Sequence, residues 1–359
     1  MRAFFLLTGL FMWMAVGPLS AASEGEAATG KDFDVTDMIM HHIGDSYVFH
    51  IISFRNGEGE LVDVSLPLPV IIWHEGHLKV FLSSCFSGGN ELVALGDDHL
   101  RLYHEKIYLT DAAGTLHYGA DHEVLNPRPL DLSITKNVAS MLLAGFLLAL
   151  LMIGVGRSYS RRGGLAVPKG VQLVVEPVVL YVRDDIVNAQ IDKDKAGRFM
   201  PFLLTIFFFI WFNNMLGLIP FFPGGANMSG NIAFTLTLAV FTFFASNLFG
   251  SRHYWQEILW PPGIPIYLKF LMIPIEFIGM FTKPFALMLR LFANITAGHI
   301  IVLSLTSIIF VLQSIYVAPL SILLSLMIFA LELLVALLQA YIFTLLSALF
   351  IGLAVNEHH

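Results

Sequence analysis

The stretch LMLRLFANITAGHI, residues 287–300, sets one arginine, Arg290, inside a long run of Leu, Ile, Phe, Met and Ala. A guanidinium in hydrocarbon is costly on any scale. Composition decides whether hydrocarbon is where it lies. The chain has 359 residues, 56% of them hydrophobic and only 13% charged, and its mean hydropathy is +0.74. A soluble domain carries about 25% charged residues. The apolar residues fall in runs at 138–156, 200–222, 231–250, 266–312 and 317–355, each of which meets the length of about 20 residues needed to cross a bilayer. An α-helical polytopic membrane protein with five membrane helices is expected. The last two runs are unusually long. A helix of about 45 residues measures about 68 Å against a hydrocarbon core of about 30 Å, so this C-terminal hairpin is either tilted or broken.

The N-terminus, MRAFFLLTGLFMWMAVGPLSAASEGE, has one basic residue (Arg2), a short apolar core and a small-x-small end at Ser20 and Ala22. That is the pattern of a secretory signal peptide over 1–22. Gly17 and Pro18 favour it over a retained first helix. Residues 23–135 then form an extracytoplasmic extension. Within it, 32–125 reads as a small, mostly β domain, because YVFHIISF, LKVFLSS and LRLYHEKIYLTDAAGTLHYG are bounded by the turn formers NGEGE, HEGH and SGGN. A short helix is expected at DVTDMIMHHI. The extension has about 18 acids against about 6 Lys and Arg, and it holds nine of the 13 histidines. HEGH lacks the H-E-x-x-H spacing that sets two ligands on one helix face. Surface histidines are the simpler reading, with a metal or pH-sensing role as the alternative. The single cysteine, Cys85, rules out an intramolecular disulfide.

Arg157, Arg161 and Arg162 come after the first span, whereas the loop at 221–230 and the turn near 313–318 have no Lys or Arg. The positive-inside rule then puts the β domain outside and the C-terminus inside, which suits five spans. Residues 169–195 are too polar to span. Val171, Val174, Val175, Val178, Val179, Val182 and Ile186 recur at spacings of three and four, the pattern of an amphipathic helix on the cytoplasmic face or docked on other protein. Pro177 allows a kink there. No internal repeat is visible.

The ionisable residues in the last two runs are Lys269, Glu276, Lys283, Arg290, His299 and Glu332, with Asn294, Thr296, Ser325 and Gln339 as uncharged companions. At about 100° per residue, a spacing of seven nearly repeats a direction. Glu276, Lys283 and Arg290 are so spaced, Asn294 and the small Ala297 continue that face, and His299 points away. Ser325, Glu332 and Gln339 form a second stripe of the same spacing. Intramembrane polar stripes normally face protein or water and mark a pathway. The plainer readings are an ion pair between Glu276 and Lys283, a pair of Arg290 with Glu332 or Glu276, interhelical hydrogen bonds for Asn294 and Gln339, and packing for His299.

KPFALMLRLFANITAGHI (283–300), ELLVALLQAYIF (332–343) and FFFIWFNNMLGLIPFFPG (207–224) resemble subunit a of the F-type ATP synthases. The resemblance covers about 136–359, which it marks as the membrane domain; it says nothing about residues 23–135. It implies a non-catalytic subunit that passes protons through two offset half-channels against a rotating c-ring, coupling the gradient to ATP synthesis. It further implies a cell inner membrane location, a periplasmic N-terminal domain, and the c-ring, the peripheral-stalk b subunits and the ATP synthase holocomplex as partners. Protons are the expected ion. No cofactor, metal or nucleic acid is implied. By resemblance Arg290 is the essential arginine, Asn294 and Gln339 are its polar neighbours, Glu276 is the acid on the cytoplasmic side, and Asn213, Asn214 and Ser325 line a half-channel. One departure stands out. The best-known bacterial pattern has Glu nine after the arginine and His seven before the glutamine, where this chain has His299 and Glu332. The alternative function is a secondary transporter or ion channel with an intramembrane charged pathway.

Overall fold

The computed structural model describes residues 44–55, 61–86, 92–95, 98–119, 123–162, 167–219, 224–312 and 316–356. The expected signal peptide and the expected short helix at 34–43 lie outside them. The chain divides into two units, one of residues 1–142, 219–226 and 303–324, the other of 143–218, 227–302 and 325–359.

The first unit carries the β domain. Its strands are β1 (Val48–Arg55), β2 (Leu61–Pro67), β3 (Pro69–His74), β4 (His77–Leu82), β5 (Leu92–Leu95), β6 (Asp98–Tyr103), β7 (Lys106–Thr110) and β8 (Leu130–Asp131). They form antiparallel sheets ordered β1-β2, β4-β3-β8 and β5-β6-β7. Alternation along β3 turns Val70 and Ile72 into a core completed by Tyr47, Phe86, Leu100 and Ile107. HEGH holds the two-residue turn of the β3–β4 hairpin, with Glu75 and Gly76 at φ 47° and 82°. These signs match the primed turns that suit twisted hairpins. His74 does not stand free for a ligand, since its Nε2 lies 2.9 Å from Asp98 Oδ2. The β6–β7 hairpin turns on His104 and Glu105, both at positive φ. Neither residue is Gly or Asn, so the sequence offers no turn signal there.

This unit also holds the start of α1 (Lys136–Arg162). Asp45 accepts hydrogen bonds from Asn137 N at 3.0 Å and Thr135 Oγ1 at 2.8 Å, and Ser46 O accepts from Lys136 N at 2.8 Å. A residue some 90 positions upstream thus satisfies the free N–H groups of the first turn, as a cap would. Tyr47 donates to Asp131 nearby. Burial, then that carboxylate, raises the Tyr47 pKa well above the ordinary phenol value.

The second unit is helical. It contains the rest of α1, then α2 (Gln172–Tyr181), α3 (Lys193–Gly217), α4 (Ile232–Leu248), α5 (Arg252–Leu259), and most of α6 (Ile266–Val311) and α7 (Ala318–Val355). The first span runs on to Arg162, so the basic cluster lies on its last turns, where cations suit the helix dipole. The second span begins at Lys193, seven residues before the apolar run at 200–222. The third expected span is only the 17 residues of α4, bent 102° against α5. Among the described residues four helices are long and apolar enough to cross a membrane, or five if that bent pair is one span. The last two stay unbroken, α6 despite Pro274 and Pro284. Of the two ways to fit a helix far longer than the bilayer is thick, a break is excluded and an oblique course remains.

The amphipathic segment passes from α2 through a π turn at Val182–Val187 to a last helical turn at Asn188–Gln190. A π turn adds a residue and shifts the phase of the helix beyond it. The expected stripe is only partly inward. Val175, Val182 and Ile186 are buried, Val178 and Val179 pack beside them, and Val171 and Val174 are exposed. The segment is docked on protein, the alternative the sequence left open. Its end is pinned by α7. Asn356 accepts from Asp192 N at 3.1 Å and donates to Gln190 O at 3.0 Å, and Gly352 lies so close that a Cβ there would strike the Gln190 carbonyl oxygen. Small residues permit such approach between membrane helices. Gly352→Ala must push the 190–192 turn away and should destabilise the chain by about 1–3 kcal/mol, typical of overpacking. A thermal melt of the purified protein reads this directly, and an unchanged midpoint excludes the close contact.

Candidate functional site

All sequence-selected residues of the site belong to the second unit. On α6, Glu276, Lys283, Arg290, Asn294 and Ala297 are exposed, as seven-residue spacing requires of a single face. On α7, Ser325, Glu332 and Gln339 are all buried. The two stripes therefore differ: one lies open and the other is turned inward.

Two contacts join these helices at the site. His299, half-buried, places Nδ1 2.5 Å from Oε1 of buried Glu332. Asn294 Nδ2 donates to Gln339 Oε1 at 3.0 Å. His299 and Glu332, which the sequence put on different helices, are thus brought together, as are Asn294 and Gln339. Arg290 is not paired with Glu332 or Glu276, and no ion pair joins Glu276 to Lys283 among the described residues. The charge of Arg290 stays on the open face, one turn before the Asn294–Gln339 bond.

Asn214 is the hub on α3. Its Oδ1 accepts from Ser229 Oγ at 2.5 Å and its Nδ2 lies 3.5 Å from Ala336 O, between Glu332 and Gln339 on α7. Asn213 instead donates to Phe209 O within its own helix at 2.7 Å, leaving Oδ1 buried without a partner. Thr296 Oγ1, Ser325 Oγ, Gln339 Nε2 and Thr344 Oγ1 are likewise buried and unpartnered. Such atoms cost about 1–3 kcal/mol each if left dry and are the kind that hold buried water. Further along, a cavity of about 20 Å³ lies between Thr242, Ser246, Asn247, Tyr254 and Lys283, room for one water molecule. Tyr254 donates to Asn247 Oδ1 there at 3.0 Å.

Four contributors were missed in the sequence. Ser229 lies beyond an irregular loop with no periodicity to place it. Tyr254 and Asn247 meet only because α5 folds back on α4. Gly298 had a signal, since a mid-helix glycine costs about 1 kcal/mol against alanine. Its reason is steric. A Cβ there would sit 2.8 Å from Glu332 Oε1 and 3.0 Å from its Cγ, so the glycine makes the space the carboxylate fills.

A model of the ATP synthase A chain family matches residues 138–352. Residues 38–132 match a model described as a domain of unknown function (DUF8433). The chain is 45% identical to ATP synthase subunit a of Chloroherpeton thalassium over 245 residues, 64% of this chain and 69% of that one. It is 47% identical to ATP synthase subunit a 2 of Chlorobaculum tepidum over 230 residues, 62% of this chain and 64% of that relative's length. An Anaeromyxobacter ATP synthase subunit a aligns over 344 residues at 36% identity, 92% of this chain and 73% of its own, and so reaches into the β domain.

Gly298→Ala tests the steric reading. It should displace Glu332 from His299 and slow proton flow through membranes containing the variant, while Gly279→Ala, on the same helix with open space around it, should leave flow unchanged. Equal behaviour of the two variants removes Gly298 from the site.

Proposed function

The chain belongs to the ATP synthase A chain family and works in proton translocation by the membrane sector of that complex; from that premise we propose how its own residues divide the work. The observation that carries the proposal is Arg290, a permanent cation on an open helix face with no counter-charge among the described residues. The open face is where the c-ring turns. A carboxylic acid surrounded by lipid stays protonated, because desolvation favours the neutral form, and facing a fixed cation it ionises. Arg290 therefore deprotonates each passing acid and keeps protons from crossing directly between the two half-channels.

The half-channel opening to the extracytoplasmic side contains the His299–Glu332 pair, with Ser325 and Asn214 along it. His299 stands nine residues beyond Arg290, about 14 Å along α6. Asn294 and Gln339 hold the turn next to Arg290 through an uncharged bond, which leaves the guanidinium free. Glu276 lies 14 residues to the other side and serves the cytoplasmic half-channel. The transmembrane potential drives transfer with about 2.3 kcal/mol per charge per 100 mV. The chain itself performs no covalent step. It is multi-pass, and we place it in the cell inner membrane with the β domain periplasmic, the C-terminus cytoplasmic and b subunits beside it. Residues 1–22 are a signal peptide, 23–135 the extension and 136–359 the membrane domain.

Arg290→Ala should abolish proton-driven ATP synthesis with the complex still assembled. Arg290→Lys should fail too, because a lysine in a low-dielectric site can lose its proton. Normal coupled synthesis by either variant excludes the role. His299→Ala and Glu332→Ala should each slow proton flow, and the exchange of His299→Glu with Glu332→His should restore much of it, since an imidazole and a carboxylate then still face each other across the two helices. Normal flow in both single variants makes the pair structural. Deleting 32–125 behind the signal peptide should leave proton transfer intact in assembled complexes; assembly without transfer would put the domain in the pathway.

A further inference from the structure

The sheet β4-β3-β8 has one face in the domain core and one face bare. Cross-strand partners point to the same side, so the register Trp73↔Leu78, Ile71↔Val80, Pro69↔Leu82 and Trp73↔Leu130 assigns these residues to one surface. The opposite surface has Val70 and Ile72, fully buried. On the bare side Trp73 is 45% exposed, Leu78 53%, Val80 61%, Leu82 51%, Leu130 59% and Leu132 56%. None of the six is charged. Contiguous exposed apolar patches mark an interaction surface, and an apolar edge strand such as β4 is a liability unless something covers it.

The occupant is indicated by where the sheet ends. The β8 pairing continues toward α1, since Leu132 N donates to Ile71 O at 2.9 Å and Ile134 N to Pro69 O at 3.1 Å. Two residues beyond Ile134 the first membrane helix starts at Lys136, capped by Asp45 and Ser46 of the same domain. The bare face is therefore continuous with the extracytoplasmic end of a membrane span and fastened to it on two sides. Its chemistry is that of the bilayer boundary: aliphatic side chains with one tryptophan, the residue enriched at membrane interfaces.

We propose that this face, Trp73, Leu78, Val80, Leu82, Leu130 and Leu132, rests on the lipid surface beside α1, so that the domain lies against the outer leaflet. The face has no basic residue, so attraction to anionic headgroups has no part in it. Apolar burial alone holds it there, and the tether at Lys136 removes the need for independent membrane affinity. The proposal is separate from the role of Arg290 and stands or falls without it.

The single cysteine makes the test direct. In a Cys85→Ser background, Val80→Cys on the bare face and Lys79→Cys on the other face each receive an environment-sensitive fluorophore, in the assembled synthase in lipid nanodiscs. Both positions are exposed, so neither substitution disturbs the core. The label at 80 should emit blue-shifted and lose intensity to acyl-chain nitroxide lipids but not to aqueous iodide. The label at 79 should show the reverse. Quenching of both by iodide alone overturns the proposal, because the face is then in water. Protection of the label at 80 from both quenchers also overturns it, because protein then covers the face, whether residues 23–43 of this chain or a neighbouring subunit.

Discussion

A polar group inside a low-dielectric helix bundle must find a partner, and this constraint sets the geometry of the site. Leaving one unpaired costs about 1–3 kcal/mol, a large share of a marginal stability. Two cross-helix bonds meet it, His299 with Glu332 and Asn294 with Gln339. Each needs its two side chains at matching height and azimuth. Together they fix both the register and the rotation of α6 on α7. Arg290 lies one turn from the second bond, so its direction is set by theirs. It lies on the same exposed face as Asn294, while Leu287, Met288, Leu291 and Ile295 take the inward directions.

The constraint also suits a neutral amide pair one helical turn from the arginine. A carboxylate in place of Gln339 would attract the guanidinium inward and satisfy it there, which is stable but inert. Glu332 is the buried acid nearest in sequence to that amide, and it is already engaged by His299. The acid is thereby held by the imidazole rather than by Arg290.

Much of this was legible as periodicity. Spacings of seven revealed both stripes, because helical direction is a local property that sequence alone determines. Which stripe would be open was not legible, since that depends on what packs against each helix. The same limit appears elsewhere. Val171 and Val174 satisfied the helical pattern of 169–195 yet remain exposed, since pattern does not say which part of the segment other protein covers, and no residue type marks the π turn that follows. Lys193 to Arg198 fell outside the expected apolar run at 200–222 because of their charges, yet they are the first turns of α3. The β domain was readable through its strands, whereas the turn at His104 and Glu105 was not, since neither residue usually accepts positive φ.

The geometry of the His299–Glu332 pair does not itself fix which helix supplies the imidazole and which the carboxylate. A hydrogen bond between an imidazole nitrogen and a carboxylate oxygen is indifferent to which helix supplies which partner, provided the separation is kept. What is not indifferent is the space on each side. Gly298 clears the surface of α6 next to residue 299, and the side chain from α7 enters that space. A carboxylate on a two-carbon stem and an imidazole on a one-carbon stem have similar reach, so either can occupy it. The glycine, more than the identity of either titratable residue, is then what the pair depends on. A chain can exchange the two residues without moving a helix, but it cannot add a methyl group at 298 without separating them.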